Sequence, residues 1–417
     1  MQVAQPHSSP PVAIISVIAS MGLLALGNGL MFAYIPVQLA ERGFPPWMAG
    51  AAVTSMATGG LLACLLTGWV VRRVGHARTF ATMTACVILS VLLISLGTLP
   101  YVWVVARAVY GFAATGLFIV TQSWLNDACD NAWRGKVIAT FYMVYVIAIG
   151  AGSFSLRFVP LEGATVPLLG IFFATLALLP VCLTRLQTPP PPASITIAIR
   201  SVWRISPVGL VGLFASGGLT LLLQGFAPIY VTTEGYDKDD VGLLMFLMQF
   251  GMLAIQYPLG ALSDRIDRRY ALILACAFII VTGGIATQLP LDEFIWVVIV
   301  FAIWAGATES VFSIGNAHAN DRADPQYYVS LSSTLLVAWS VAGLILPLIA
   351  TALIPVFGAK VFMYIAIAIA IAYLAFVAFR LQMRESPPDD ETVDHQPVSA
   401  QMPLTAELAT AQQEDDE

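Results

Sequence analysis

The chain has 417 residues, of which 58% are hydrophobic and only 11% charged, and its formal net charge is −6. Soluble domains carry about 25% charged residues, so this composition excludes a soluble globular protein and points to an integral membrane protein in the lipid bilayer, with no nucleic-acid partner expected. The acidic excess is local: ten acidic residues follow Met383, and the body before them is close to neutral.

Residues 1–11 carry no Lys or Arg, and the apolar run behind them continues to about residue 39, too long for the apolar core of a cleavable signal. They read as a short cytoplasmic N-terminus. Requiring roughly 17 to 25 mainly apolar residues per crossing gives six spans, at 12–39, 48–71, 79–98, 101–124, 136–157 and 165–185. These form an N-terminal half, 12–185. Residues 186–206 hold Pro189 to Pro192, then Arg200 and Arg204; a polyproline run cannot continue a helix, so this is a cytoplasmic linker. Six further spans, at 207–231, 240–262, 270–289, 293–315, 327–353 and 357–381, make a C-terminal half, 207–381. Residues 382–417, rich in Pro, Gln, Asp and Glu, read as a disordered acidic cytoplasmic tail.

The halves repeat each other. A shift of 192 places Pro36 on Pro228, Gly43 on Gly235, Gly50 on Gly242, Gly68 on Gly260 and Arg73 on Arg265, all near helix ends. Two pseudo-symmetric six-helix halves in parallel orientation follow, an all-α membrane fold of twelve transmembrane helices. The termini and the breaks after spans 2, 4, 6, 8 and 10 hold 14 of the 19 Lys and Arg residues, and the opposite side holds 4. The remaining one is Arg107. By the positive-inside rule both termini are cytoplasmic.

Five widely spaced cysteines, Cys64, Cys86, Cys129, Cys182 and Cys276, read as small apolar residues rather than a disulfide set. No Cys/His spacing suggests a metal, no cofactor motif occurs, and no cluster of acids or histidines suggests catalysis. A phosphate-binding Walker motif is absent too.

Charge concentrates in two loops. One runs from Gly260 to Arg269 as G-A-L-S-D-R-I-D-R-R, the other from Gly68 to Arg78 as G-W-V-V-R-R-V-G-H-A-R. A glycine at a helix end permits close approach and a tight turn. Asp264 can accept hydrogen bonds from the start of a neighbouring helix and so hold the cytoplasmic ends shut; alternatively, the arginines only enforce topology. In span 4, Arg107 lies six residues inside Tyr101, about 9 Å deep at 1.5 Å per residue. It is either a functional cation or one that snorkels to the headgroups. Gly111, Thr115, Phe118 and Gln122 continue its stripe. Glu309 in span 10, with Ser313 and Asn316 on the same face, is an acid set deep in a span. It suits a proton carrier or a neutral acid bonded to a neighbouring helix. His318, near the end of that span, reads as a loop residue. Asn28 and Gln224 place further amides in spans 1 and 7, as cavity groups or interhelical hydrogen bonds.

At these residues the chain resembles the major facilitator superfamily, over about 12–381. Its loop signature G-x-x-x-D-R-x-G-x-R-R is matched at Gly260, Asp264, Arg265, Arg268 and Arg269, with Asp267 where glycine is usual. In the first loop Gly68, Arg73, Gly75 and Arg78 match, while Arg72 replaces the acid and Ala77 a basic residue. Arg107 and Gly111 resemble the R-x-x-x-G pattern of drug–proton antiporters. The G-x-x-x-G-P pattern of their fifth helix is absent, since no proline follows Gly152. The segments from Gly116 to Asn126 and from Trp339 to Pro347 look like bacterial sugar and drug transporters. The resemblance implies that helices 1, 4, 7 and 10 line a central cavity holding Asn28, Gly111, Thr115, Phe118, Gln122, Gln224, Ser313 and Asn316. Arg107 and Glu309 would then serve proton coupling or substrate, and the two charged loops cytoplasmic gating. The expectation is a monomeric, proton-coupled exporter of small organic molecules in a bacterial inner membrane. Proton-coupled uptake of a sugar or organic acid, with Arg107 pairing a carboxylate, and a non-transporting sensor of the same fold stand as alternatives.

Overall fold

The computed structural model describes residues 11–97, 99–129, 131–184, 197–289, 293–324 and 327–383. The readings made for residues 1–10, for the polyproline run and for the tail from 384 onward lie outside these. Twelve helices are long and apolar enough to cross a membrane. They are α1 (Pro11–Glu41), α2 (Pro46–Val74), α3 (His76–Leu96), α4 (Pro100–Ala128), α5 (Asn131–Ser155) and α6 (Thr165–Leu183, with a break at Ala177), then α7 (Pro207–Thr233), α8 (Lys238–Ser263), α9 (Arg268–Gln288), α10 (Phe294–Asn320), α11 (Tyr328–Phe357) and α12 (Val361–Leu381). No strand occurs among the described residues.

Helix starts follow local chemistry. Pro46, Pro100 and Pro207 occupy first-turn positions, where the missing N–H costs nothing. Ser206, Asp237 and Asp267 accept hydrogen bonds from the first free backbone N–H groups of α7, α8 and α9. Gly43 and Gly235, one repeat apart, both adopt positive φ, 70° and 91°, and turn the chain out of α1 and α7.

One expectation about a helix end is corrected. α10 runs to Asn320, not 315, so His318 is not a loop residue; it is buried in the last turn, its Nδ1 2.9 Å from Ser206 Oγ. Hydropathy marks only the apolar part of a helix, whereas backbone hydrogen bonding continues through its polar end. After the proline run, a short helix, Ile199–Ile205, leads into α7. Val202 anchors it with no exposed surface, and the Trp203 ring lies 6.2 Å from that of Phe376.

The halves are built on the same crossings. α2 meets α4 at Gly59 and Gly111, where an added Cβ would strike the Ala108 and Met56 carbonyls. α8 meets α10 at Gly251 and Gly306 in the same way, and Gly59 and Gly251 are themselves 192 apart. α1 crosses α5 at Gly29 and Gly152, and α7 crosses α11 at Gly217. Such small residues let backbones touch where no hydrophobic driving force separates helix from lipid. The most enclosed spans are α10, α7, α4 and α1, and the least is α6. Large apolar side chains such as Leu62, Leu65, Trp69 and Leu168 cover the outside.

The halves face each other along two seams, α2 with α11 and α5 with α8. We call the end carrying the turns at Gly43 and Gly235 the odd-loop face and the opposite end the arginine-rich face. At the odd-loop face Lys238 Nζ donates to Val159 O (2.7 Å) and Arg157 O (3.3 Å), and Arg157 reaches Asp239 at 3.9 Å. The Thr54 and Thr351 hydroxyls stand 3.5 Å apart on the other seam. Deeper, Cys64 Sγ and Ser340 Oγ are 4.0 Å apart, and Tyr142 OH donates to Gln256 Oε1 at 3.1 Å.

Candidate substrate cavity

Between the seams lies a cavity of about 170 Å³ lined by both halves. α1, α2, α4 and α5 supply one wall; α7, α8 and α11 supply the other. The prolines Pro36 and Pro228 flank it towards the odd-loop face. Towards the arginine-rich face the lining of α4 and α5 ends at Phe118 and Tyr145, whose rings meet edge-on at 4.4 Å.

Among the described residues, Arg107 is the one charged residue in this lining. It is 4% exposed, so it does not snorkel to an interface. Its Nη2 lies 2.7 Å from Met56 Sδ, and its guanidinium carbon sits 5.2 Å from the Phe32 ring centre and 4.9 Å from that of Tyr110. Aromatic faces attract a desolvated cation, but a thioether is only a weak acceptor. Nε has no hydrogen-bond partner among the described residues. Among the described residues no carboxylate lies within ion-pair range of Arg107.

Of the residues expected along the cavity, Arg107, Gly111, Thr115, Phe118 and Gln224 come together in its lining. Gln224 Nε2 faces Met252 Sδ at 3.9 Å. Asn28, Gln122, Glu309, Ser313 and Asn316 lie outside the lining, although all are buried. Asn28 is buried on α1, one turn before Phe32 of the lining. Gln122 lies one turn past Phe118, beyond the end of the cavity. The remaining three belong to α10, which contributes nothing to the wall, contrary to the expectation that helices 1, 4, 7 and 10 share it. The small-residue run Ala305-Gly306-Ala307 packs α10 flush against its neighbours, with Gly306 on the Gly251 carbonyl, and Glu309 is left with no exposed surface.

α8 and α11 take the place of α10. Met245, Met248, Gln249 and Met252 form one face of α8, and Trp339 and Ser340 come from α11. The spacing of the α8 residues is that of a helical stripe, a signal present in the sequence. Methionines, however, read equally as lipid-facing or core.

The two charged loops differ. Arg268 is buried and reaches Asp264 Oδ1 at 3.1 Å and both oxygens of Asp321, at 2.5 and 3.3 Å. Arg269, also buried, pairs with Asp267 and donates to Arg380 O at 3.4 Å. Asp264 therefore ties α8 to α9 and, through Arg268, to α10 within one half. Arg265 is exposed beside it, and Gly260 accepts the Ser263 hydroxyl at 2.7 Å. In the first loop Arg72, Arg73 and Arg78 are exposed, and Arg73 lies over Trp69 at 5.5 Å. Gly68 sits within α2, and Gly75 turns the chain at φ 82°. His76 Nε2, 2.9 Å from Ser123 Oγ, fixes the start of α3. Asp321, the deepest acid of the second network, escapes sequence reasoning because its partner is 53 residues away.

All five cysteines are free thiols; Cys182 is exposed on the outside of the bundle rather than buried. Among the described residues no group of three or more His, Cys, Asp or Glu is arranged to hold a metal.

Comparisons agree with this architecture. The model for the Major Facilitator Superfamily matches residues 17–345 and 210–410. An MFS-type transporter of Enterobacter sp., Ent638_1421, is 24% identical over 394 residues, covering 93% of this chain and 99% of its own. The MFS-type transporter YcaD of Escherichia coli is 24% identical over 387 residues, covering 92% and 98%. Among solved structures, the nucleoside transporter NupG superposes with a TM-score of 0.72 at 10% identity, covering 89% of this chain and 99% of that one. An auto-inhibited POT family peptide transporter gives 0.71 at 16% identity, covering 94% and 100%.

Proposed function

Because the chain belongs to the Major Facilitator Superfamily, we propose that it is a secondary transporter of a bacterial inner membrane. It works by alternating access and exports a small organic molecule in exchange for protons that move down their gradient. The cavity between the halves carries this reading: both halves line it, so rocking one against the other exposes it to each side in turn. With the arginine-rich face in the cytoplasm, the contacts of Lys238, Arg157, Thr54 and Thr351 lie outside, and this conformation is shut towards the exterior. Glu309, enclosed on α10 with no exposed surface, is the proton carrier, reached by water when a conformational change opens the packing around it. Absence of a nucleotide-binding motif fits coupling to an ion gradient.

Flux in proteoliposomes tests this. An imposed pH gradient is expected to drive substrate movement in the wild type and not in Glu309→Gln. Joining the outer seam by an oxidised Thr54→Cys/Thr351→Cys pair is expected to stop flux, and reduction to restore it. Flux that ignores the gradient removes the proton, and flux that survives the cross-link removes alternating access at this seam.

A further inference from the structure

We propose that the cavity selects organic monoanions, an apolar body carrying one carboxylate, with Arg107 as the charge partner. This rests on the cavity being the substrate site of a transporter.

Three observations carry it. First, Arg107 is buried at the cavity wall and its contacts leave it uncompensated. It touches a thioether and two ring faces, its Nε has no partner, and no carboxylate of the described chain lies within ion-pair range. A lone guanidinium in a dry interior is expensive, and an anion that arrives with the substrate removes that cost. Second, among the described residues a single positive charge stands in the lining. One negative charge matches it; a dianion would leave the surplus against apolar walls, and a cation would be repelled. Third, the rest of the wall suits an apolar body. Phe32, Trp339 and the soft, adaptable side chains of Met245, Met248 and Met252 surround the space. The planar fork of arginine matches a carboxylate through two parallel hydrogen bonds, which a neutral amide cannot reproduce.

The chemistry is therefore that of an amphipathic acid rather than a neutral or cationic drug. A lipid headgroup phosphate could supply the same charge, and the test separates the two. The full chain is reconstituted in phosphatidylcholine nanodiscs and its melting temperature followed against apolar monocarboxylates, 4-phenylbutyrate among them, each beside its primary amide and beside inorganic phosphate.

The acids are expected to raise the melting temperature with concentration and to bind roughly tenfold or more tighter than the amides. Arg107→Gln is expected to abolish the difference and Arg107→Lys to retain part of it. Equal binding of acids and amides across the series overturns the proposal, as does an acid preference that survives Arg107→Gln, or a response to inorganic phosphate that equals that of the acids. Should Arg107→Gln fail to fold, the wild-type acid–amide comparison and Arg107→Lys still decide. Loss of acid binding on adding phosphatidylglycerol assigns Arg107 to a lipid headgroup and overturns the proposal too. Flux keeps the two readings apart: acid-selective binding without any flux defeats the transporter and leaves the anion site, whereas flux of amides as fast as acids does the reverse.

Discussion

The turn between α2 and α3 and the turn between α8 and α9 are repeats of one another, 192 residues apart, and they are secured by different means. In the second, Arg268 and Arg269 are buried among Asp264, Asp267 and Asp321, so that charge ties three helix ends together. In the first, Arg72 stands where the acid would be, the arginines point outward, and the buried partner pair is His76 with Ser123. A repeat thus preserves the shape of a turn while its two copies divide the work. One set of arginines is structural. The other is available to the membrane surface, where Arg72 and Arg73 also suit the C-terminal end of the α2 dipole.

The largest effect expected from this contrast is at Asp321. Asp321→Ala leaves Arg268 buried without its main partner and is expected to destabilise by about 3–5 kcal/mol, measured by thermal unfolding of the reconstituted protein. Melting like the wild type would mean that the ionic network does not hold the second turn. A smaller effect, and an equal one in both halves, is expected at the crossings: Gly59→Ala and Gly251→Ala each push a methyl onto a facing carbonyl, at about 1–3 kcal/mol. A large difference between these two would extend the asymmetry from the turns into the helices. The smallest is at Arg72 and Arg73, whose single replacements by alanine are expected to stay within about 0.5 kcal/mol. Neutralising Arg72, Arg73 and Arg78 together is nevertheless expected to raise the fraction of chains inserted in the wrong orientation, read by terminal reporter fusions. An unchanged orientation would deny the first loop its topological part.

The cavity repeats the contrast. Arg107 and Glu309 look like comparable intramembrane charges in the sequence, yet one lines the cavity and the other is sealed in a packed helix. Amide and hydroxyl groups divide the same way: Thr115 and Gln224 reach the cavity, while Gln122, Ser313 and Asn316 do not.

Length, hydropathy and the 192-residue repeat were enough to place the twelve crossings and the two charged turns. Those properties are local, since length, hydropathy and turn chemistry act within one segment of chain. Helix ends came out short at α10 because hydropathy ends before hydrogen bonding does. Packing between helices decided that α8 and α11, not α10, complete the wall, that Asp321 answers Arg268, and that Arg107 faces space with no carboxylate of the described residues beside it. Each depends on how far one helix is rotated and how closely it packs against another, and that is set by residues such as Gly251 and Gly306, which lie outside the site they shape.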